Sequence, residues 1–227
     1  MAVTIYNQNT PRIRGVLFDM DGLVLDTEKL YTRFWMEACR FYGFSMTVEQ
    51  ALKMRSANAV LSEENLKSFF GPTVDYKKCR DKRVQLMDAF IEEQGVELKP
   101  GIFELLDALD HRGIPAAITS SSPKARIEQH LASVGLLHRF TAICSGHDVP
   151  HGKPAPDIYL HGATSLGLSP EVCLALEDSP AGILAAYRAG CIAVMVPDLD
   201  QPDRETEKLL SAKADSLLDV IGLLDQF

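Results

Sequence analysis

The sequence is poor in basic residues relative to acidic ones, and it has few aromatic residues and a single tryptophan. Its 227 residues include 23 Lys and Arg against 31 Asp and Glu, which gives a formal net charge of −8. Proteins that bind nucleic acid without sequence preference depend on clustered Lys and Arg to neutralise phosphates. The charge balance therefore argues against such binding. An anionic substrate would need a local cation, since the overall field repels it.

Long apolar runs and paired cysteines are also missing. No run approaches the roughly 20 residues of a membrane-spanning helix, and the sequence does not open on a basic segment followed by an apolar one. The five cysteines are scattered and odd in number, which predicts neither a zinc site nor a disulfide framework. We therefore expect a cytoplasmic monomer without nucleic-acid or membrane partners.

What the sequence does contain is a series of short apolar runs that do not alternate with polar residues. Such runs are typical of strands buried on both faces of a parallel sheet, and they lie at 13–20, 114–119, 140–145, 173–176 and 191–196. Helical stretches follow at 123–134, 156–166 and 180–189, each closed by a glycine, and Ser122 and Ser179 are their expected N-caps. This alternation predicts an α/β fold with a doubly wound, Rossmann-like parallel sheet.

The region after the first predicted strand has a different pattern. It is rich in helix-forming residues at 30–42, 62–70 and 75–94, and it contains no run that could join the sheet. We interpret residues 28–95 as an all-helical cap domain inserted into the core domain, which comprises residues 1–27 and 96–227.

Two carboxylates end the first predicted strand. In the stretch FDMDG at 18–22, Asp19 and Asp21 are two positions apart. They lie at the edge of the sheet where open α/β folds bind their ligands, and both can approach one cation or one reacting group. An EF-hand loop beginning at Asp19 is excluded, because its twelfth position would be Leu30 rather than Glu. Neither a GxxxxGK[ST] loop nor a GxGxxG fingerprint is present in the sequence.

Three further groups of polar residues follow predicted strands. Ser120 and Ser121 belong to a run of hydroxyl residues that enters a helix, where hydroxyl and backbone N–H groups donate well to phosphate oxygens. Lys153 precedes a proline and could neutralise phosphate charge. Glu177 and Asp178 end a later strand, and carboxylates from two strand ends suit Mg²⁺. Singly, these residues also fit a helix cap, a surface turn and a strand end, but their order along the chain is specific.

With these motifs in this order, the sequence resembles the haloacid dehalogenase superfamily, and within it the β-phosphoglucomutase-like phosphatases with a helical cap. The most similar stretches are 18–27, 145–160 and 176–190, and two shorter ones, DTEKLY at 26–31 and HGKP at 151–154, resemble pseudouridine-5′-phosphatase. The resemblance implies a Mg²⁺-dependent phosphatase that acts on a small phosphorylated metabolite.

The resemblance also implies a mechanism. Asp19 would attack phosphorus and form an aspartyl-phosphate. Asp21 would protonate the leaving alcohol and then activate water. Ser120 and the N–H of Ser121 would hold phosphate oxygens, while Lys153 would offset the negative charge.

The implied metal site uses oxygen ligands. The carboxylates of Asp19 and Asp178 and the backbone carbonyl of Asp21 would hold Mg²⁺, and Glu177 would act through a bound water. An acid at position 21 also argues against dehalogenation, because a halide leaves without protonation whereas an alkoxide benefits from a proton.

The predicted cap favours a hydrolase over a mutase. Where β-phosphoglucomutases have a catalytic histidine, ten residues after the second aspartate, this sequence has Tyr31. Their phosphate-binding arginine aligns approximately with Ala59, although Arg55 lies nearby. Candidates for substrate contact in the cap are Glu28, Tyr31, Trp35, Arg55 and Asn58, although Trp35 fits equally well as an anchor of the cap's own core.

Three alternatives to the hydrolase stay open. A β-phosphoglucomutase-type mutase shares the core motifs. A receiver-like signalling domain also combines a doubly wound sheet with an acidic pocket, but it lacks a helical insertion after the first strand. A non-catalytic scaffold on the same fold is the third, because fold alone does not confer activity.

Overall fold

The structure is a computed structural model that describes residues 3–7, 10–55, 59–198 and 201–227. The chain divides into two compact units. Unit 1 comprises Met1–Leu25 and Glu97–Phe227, and unit 2 comprises Asp26–Val96. The boundaries predicted from the sequence were 27/28 and 95/96.

Unit 1 is built on one sheet, which has seven strands among the described residues. They are β1 (Val3–Ile5), β2 (Gly15–Phe18), β3 (Ala116–Ser120), β4 (Ala142–Ser145), β5 (Cys173–Glu177), β6 (Ile192–Met195) and β7 (Ala212–Ala214). The spatial order is β1-β7-β6-β5-β2-β3-β4, and all neighbours are parallel except β1 and β7. Every residue of β2, β3, β5 and β6 is buried, as the non-alternating apolar runs predict. The predicted α/β fold class is confirmed.

Helices lie between the parallel strands of unit 1 along the chain, and the last helix follows β7. They are α5 (Ile102–Arg112), α6 (Lys124–Ser133), α7 (Asp157–Ser165), α8 (Pro180–Ala189), α9 (Arg204–Glu207) and α10 (Leu217–Leu223). Ser179 caps α8 as predicted, because its Oγ accepts the N–H of Gly182. Ser122 does not cap α6: that helix starts after Pro123, and the Ser122 Oγ donates instead to Asp21 Oδ2 at 3.4 Å.

Two short strands of unit 1 were not predicted. β1 pairs antiparallel with β7, with Val3 opposite Ala214 and Ile5 opposite Ala212. Each has only three residues, and β7 reads Ala-Lys-Ala. A segment this short carries too little apolar periodicity to be distinguished from a loop, so its pairing depends on the neighbouring strand rather than on its own sequence.

The regular secondary structure of unit 2 is entirely helical among its described residues. Its helices are α1 (Glu28–Phe41), α2 (Val48–Arg55), α3 (Ala59–Phe70) and α4 (Tyr76–Gln94), of which α2 was not predicted. One buried cluster forms around Trp35, whose ring stacks on Tyr76 with 6.2 Å between centroids. Trp35 is 4% exposed, so it is an anchor of this cluster. Within the described residues, no helix of the chain is long and apolar enough to span a membrane.

Candidate active site

The candidate site of unit 1 lies where three parallel strands end. Phe18 of β2 pairs with Ile118 of β3 and with Leu176 of β5, so the residues that follow these positions lie at one edge of the sheet. The backbone N–H of Asp19 donates to the carbonyl of Leu176 at 3.0 Å and extends the ladder by one residue. The edge thereby brings together Asp19, Ser120 and Glu177, which are 8%, 1% and 0% exposed.

A tight turn follows Asp19 and includes Asp21. The N–H groups of Val24 and Leu25 donate to the carbonyl of Met20, and the N–H of Gly22 donates to Leu25. Gly22 has a φ of +86°, a backbone conformation that a residue with a Cβ rarely adopts. The turn holds the Asp21 carboxylate within reach of the Ser122 hydroxyl.

The hydroxyl run after β3 forms a compact loop. The Ser120 Oγ accepts the N–H of Ser122 at 3.1 Å, and the Ser145 Oγ donates to the carbonyl of Ser122 at 2.8 Å. Gly146 donates its N–H to the carbonyl of Ser120 at 2.7 Å, and a Cβ at Gly146 would lie only 3.1 Å from the Cα of Ser121. The loop therefore fixes Ser120 while the side chain of Ser121 stays exposed.

Lys153 crosses from the loop after β4 to the same edge. Its Nζ donates to Asp19 Oδ1 at 2.5 Å, to Glu177 Oε1 at 2.6 Å and to the carbonyl of Thr119 at 3.0 Å. These bonds use all three protons of the ammonium group. Since the Lys153 side chain is only 9% exposed, this is a buried cation shared by two buried carboxylates.

Burial and the charge of the partner group shift the pKa values of Asp19 and Lys153 in opposite directions. Burial raises the pKa of Asp19 to about 7; the Lys153 ammonium opposes this shift, and the carboxylates of Glu177 and Asp21 add to it. For Lys153, burial alone would lower the pKa, but the charges of Asp19 and Glu177 raise it well above its ordinary value. Lys153 is therefore a cation at neutral pH, and Asp19 depends on it to carry a negative charge.

Glu177 is enclosed by donors on both of its oxygens. Oε1 accepts from Lys153 and from the hydroxyl of Tyr159, and Oε2 accepts from the Ser179 Oγ at 3.1 Å. The carboxyl group lies directly against Gly182, where a Cβ would overlap its atoms. Position 182 must therefore be glycine, because the Glu177 carboxyl group fills the space that a side chain would need.

We expect Gly182→Ala to destabilise the protein by about 2 kcal/mol, because the added methyl group forces the buried Glu177 carboxyl out of its hydrogen bonds. Urea unfolding measures the effect. The matched control is Gly222→Ala in α10, where an added Cβ meets no atom within 4 Å. Equal unfolding free energies for the two variants would contradict the packing described here.

The same edge carries a set of oxygen ligands. One carboxylate oxygen each from Asp19, Glu177 and Asp178 lies within 4.8 Å of the others. Hard cations such as Mg²⁺ and Ca²⁺ prefer oxygen ligands, and oxygens this close can share one ion. The residues therefore fit a divalent cation. The Asp21 side chain is outside this group, and the prediction for Asp21 concerns its backbone carbonyl.

The structure describes fewer features of the candidate substrate contacts in the cap than of the strand-end residues. Asn58 lies outside the described residues, and Arg55 is the last residue of α2. Glu28 is the first residue of α1, and Tyr31 lies one turn further along this helix. The ring of Tyr31 packs under the guanidinium of Arg83, with 4.5 Å from its carbon to the ring centroid.

The sequence did not single out several residues of these clusters. Tyr159 lies inside a helix and reads as an ordinary core aromatic, and Arg83 lies in a charged stretch of α4 that reads as solvated. Arg83 is 7% exposed, and its guanidinium contacts the rings of both Tyr31 and Trp35. Gly182 offered one signal, because it is a glycine within the first turn of a helix, where glycine is unfavourable without a packing reason.

Comparison with known proteins gives one consistent result. The family model of the haloacid dehalogenase-like hydrolases matches residues 16–196. Fructose-1-phosphate phosphatase of Escherichia coli (strain K12) is 34% identical over 193 residues, which are 82% of this chain and 97% of the relative. A Drosophila melanogaster protein named "Probable pseudouridine-5'-phosphatase" is 32% identical over 228 residues, with 96% and 97% covered.

Among solved structures, a mutant of CbbY from Rhodobacter sphaeroides in complex with xylulose-(1,5)bisphosphate is similar along most of its length. The TM-score is 0.75 at 25% sequence identity, and the match covers 91% of this chain and 96% of that chain.

Proposed function

The chain belongs to the haloacid dehalogenase-like hydrolases and is a phosphatase of that family, and from this premise we propose that it hydrolyses a sugar phosphate or similar phosphomonoester through phosphorylated Asp19. The observation that carries the proposal is the buried bridge in which Lys153 binds Asp19 and Glu177 at once. A carboxylate can approach an anionic phosphate only where fixed positive charge offsets the repulsion.

The proposed nucleophile is an oxygen of Asp19. Burial removes its water shell and raises its pKa to about 7, and the Lys153 ammonium opposes that rise, so Lys153 favours the ionised, nucleophilic form and partly screens its charge. Attack on phosphorus forms a P–O bond to Asp19 and breaks the bond to the substrate's alcohol oxygen. Ser120 and the N–H of Ser121 are the proposed partners of the phosphoryl oxygens, and Lys153 is the proposed counter-charge.

Asp21 is the proposed acid and base. Its carboxyl group gives a proton to the departing alcohol, and the resulting carboxylate then takes a proton from the water that cleaves the aspartyl-phosphate. The contact with Ser122 supports this assignment, because it helps to fix the direction of the carboxyl group at the same strand edge.

The carboxylates of Asp19 and Asp178 and the backbone carbonyl of Asp21 would hold Mg²⁺, and Glu177, which has an oxygen within 4.8 Å of those two carboxylates, would act through a bound water. When bound, the ion supplies positive charge that screens the phosphate from the surrounding carboxylates. The chain's own contribution is to hold three carboxylates close together at the ends of β2 and β5. These local charges, and not the net charge of −8, decide whether an anionic substrate can bind.

A sugar phosphate is the substrate class that the relatives support. One of them is named for fructose 1-phosphate and another for a nucleoside monophosphate that carries a ribose, and the structural neighbour holds a phosphorylated pentulose. Tyr31, at the position where mutases have histidine, favours water over a second sugar as phosphoryl acceptor. Tyr31, Arg55 and Asn58 stay proposed substrate contacts.

We expect multiple turnovers of p-nitrophenyl phosphate with Mg²⁺ and none with EDTA. A panel of sugar and nucleoside monophosphates, followed by phosphate release, then identifies the substrate. A hexose phosphate assay with a bisphosphate primer tests the mutase. A single stoichiometric phosphorylation without turnover would indicate the receiver-like alternative, and neither turnover nor phosphorylation would indicate the scaffold.

A further inference from the structure

Tyr159 is a buried phenol that no step proposed above uses. It lies in the first turn of α7 and is 0% exposed. Its hydroxyl donates to Oε1 of Glu177, and its ring centroid lies 5.2 Å from the Nζ of Lys153. A phenylalanine would fill an apolar helix face equally well, so the hydroxyl has a role that packing alone does not require.

The donors around Glu177 differ in what else they bind. Lys153 divides its protons among Glu177, Asp19 and the carbonyl of Thr119. Tyr159 has a single proton, and that proton goes to Glu177. Tyr159 and the Ser179 hydroxyl, which donates to Oε2, are therefore donors to Glu177 that are not shared with Asp19.

The orientation of Glu177 matters to the cation site. Its carboxylate contributes one of the three oxygens that lie within 4.8 Å of one another. A carboxylate with fixed donors keeps its oxygens in one arrangement, whereas one that has lost a donor has more freedom, which must be removed when an ion binds. The cost of that ordering lowers the affinity for the ion.

We propose that Tyr159 is a positioning residue, which acts through its hydrogen bond to Glu177 to hold the carboxylate cluster ready for a divalent cation. This rests on the proposed function only in that the cation serves the phosphatase reaction. The Tyr159 hydroxyl and the Lys153 ammonium donate to the same oxygen of Glu177, Oε1.

The test is a calorimetric titration of the metal-free protein with MgCl₂, without substrate. We expect Tyr159→Phe to weaken Mg²⁺ binding about tenfold, the lower end of the range for groups that hold a metal's ligands in place. Tyr187→Phe is the matched control: Tyr187 is 52% exposed on α8, and its variant should bind Mg²⁺ as the wild type does. In activity assays, half-saturation by Mg²⁺ should shift by the same factor, with an unchanged substrate KM at saturating Mg²⁺.

Thermal unfolding in EDTA separates positioning from packing. A merely structural Tyr159 would lower the Tm in EDTA and leave the Mg²⁺ affinity unchanged, and that result overturns the proposal. Tyr159→Leu, which also lacks the hydroxyl, is carried in parallel in case one variant does not fold. In a Glu177→Gln background, Tyr159→Phe should have no further effect on Mg²⁺ binding, and an undiminished effect there also overturns it. Loss of the proposed function is recognised separately, as wild-type protein that binds Mg²⁺ but hydrolyses no phosphomonoester.

Discussion

We expect Asp19→Asn to lower kcat for phosphomonoesters by a factor on the order of 10⁴ or more, because the substitution removes the proposed covalent nucleophile. The amide that replaces the carboxylate has no anionic oxygen with which to attack phosphorus. The fold should survive, because the substitution keeps the side-chain shape and removes a charge whose burial is unfavourable, as the pKa of about 7 indicates. Kinetics with Mg²⁺ and thermal unfolding in EDTA measure the two effects.

Two further experiments distinguish loss of the nucleophile from a general loss of activity. Rapid acid quenching of wild-type protein with labelled substrate should trap a hydroxylamine-sensitive acyl phosphate, which Asp19→Asn should not form. Asp215→Asn, an equivalent change at an exposed position just after β7, should leave kcat unchanged. Mg²⁺-dependent turnover that persists in Asp19→Asn would rule out Asp19 as the nucleophile.

Lys153→Met should have the second largest effect, and it should affect both activity and stability. It leaves Asp19 and Glu177 buried without their shared cation, and breaking a buried ion pair on one side costs about 3–5 kcal/mol. Turnover should fall about 10³-fold, because neither the nucleophile nor the phosphate is then screened. The matched control is Lys208→Met, since Lys208 pairs with Glu205 on the surface and such pairs contribute about 1 kcal/mol or less.

The stability loss of Lys153→Met should depend on pH. The folded-state pKa of Asp19 is already raised above the unfolded value of 3.8, and loss of Lys153 removes an influence that lowers it. Between these two pKa values the folded state binds more protons than the unfolded state, so the unfolding free energy increases as the pH falls. Urea unfolding in EDTA at pH 8 and at pH 5.5 should therefore show the larger deficit at pH 8. A deficit that grows on acidification would contradict this assignment.

The strand-end residues could be predicted because several physical signals coincide there. Asp19 and Glu177 each end a fully apolar strand, and parallel strands bring such ends to one edge. For Asp19, Ser120 and Glu177 this was a reason to expect proximity, whereas Lys153 was included because the order of the four residues resembles that of a known superfamily. The bonds that Lys153 makes to both carboxylates needed the structure, because a loop residue has no register that fixes where its side chain reaches.

For other parts of the site and of the fold, the sequence contains no comparable signal that would predict their contacts. Tyr159 sits on a helix face where an aromatic residue is ordinary, and only its hydroxyl contact distinguishes it. Ser122 looked like a helix cap because it precedes a proline, yet a long-range contact with Asp21 determines its role. The pairing of β1 with β7 likewise depends on chain segments about 200 residues apart, which local patterns cannot report.

Lys153 already has an acceptor for each of its three protons. An oxygen of an arriving phosphoryl group can therefore bind this ammonium only by displacing one of those acceptors. Recognition at this position is an exchange of partners, so its net gain is the difference between two hydrogen bonds. The same exchange would run in reverse when inorganic phosphate leaves, because the ammonium group can again donate to the carbonyl of Thr119 and to the two carboxylates. If Lys153 binds the phosphoryl group as proposed, part of the binding free energy is therefore offset by the bonds that it gives up.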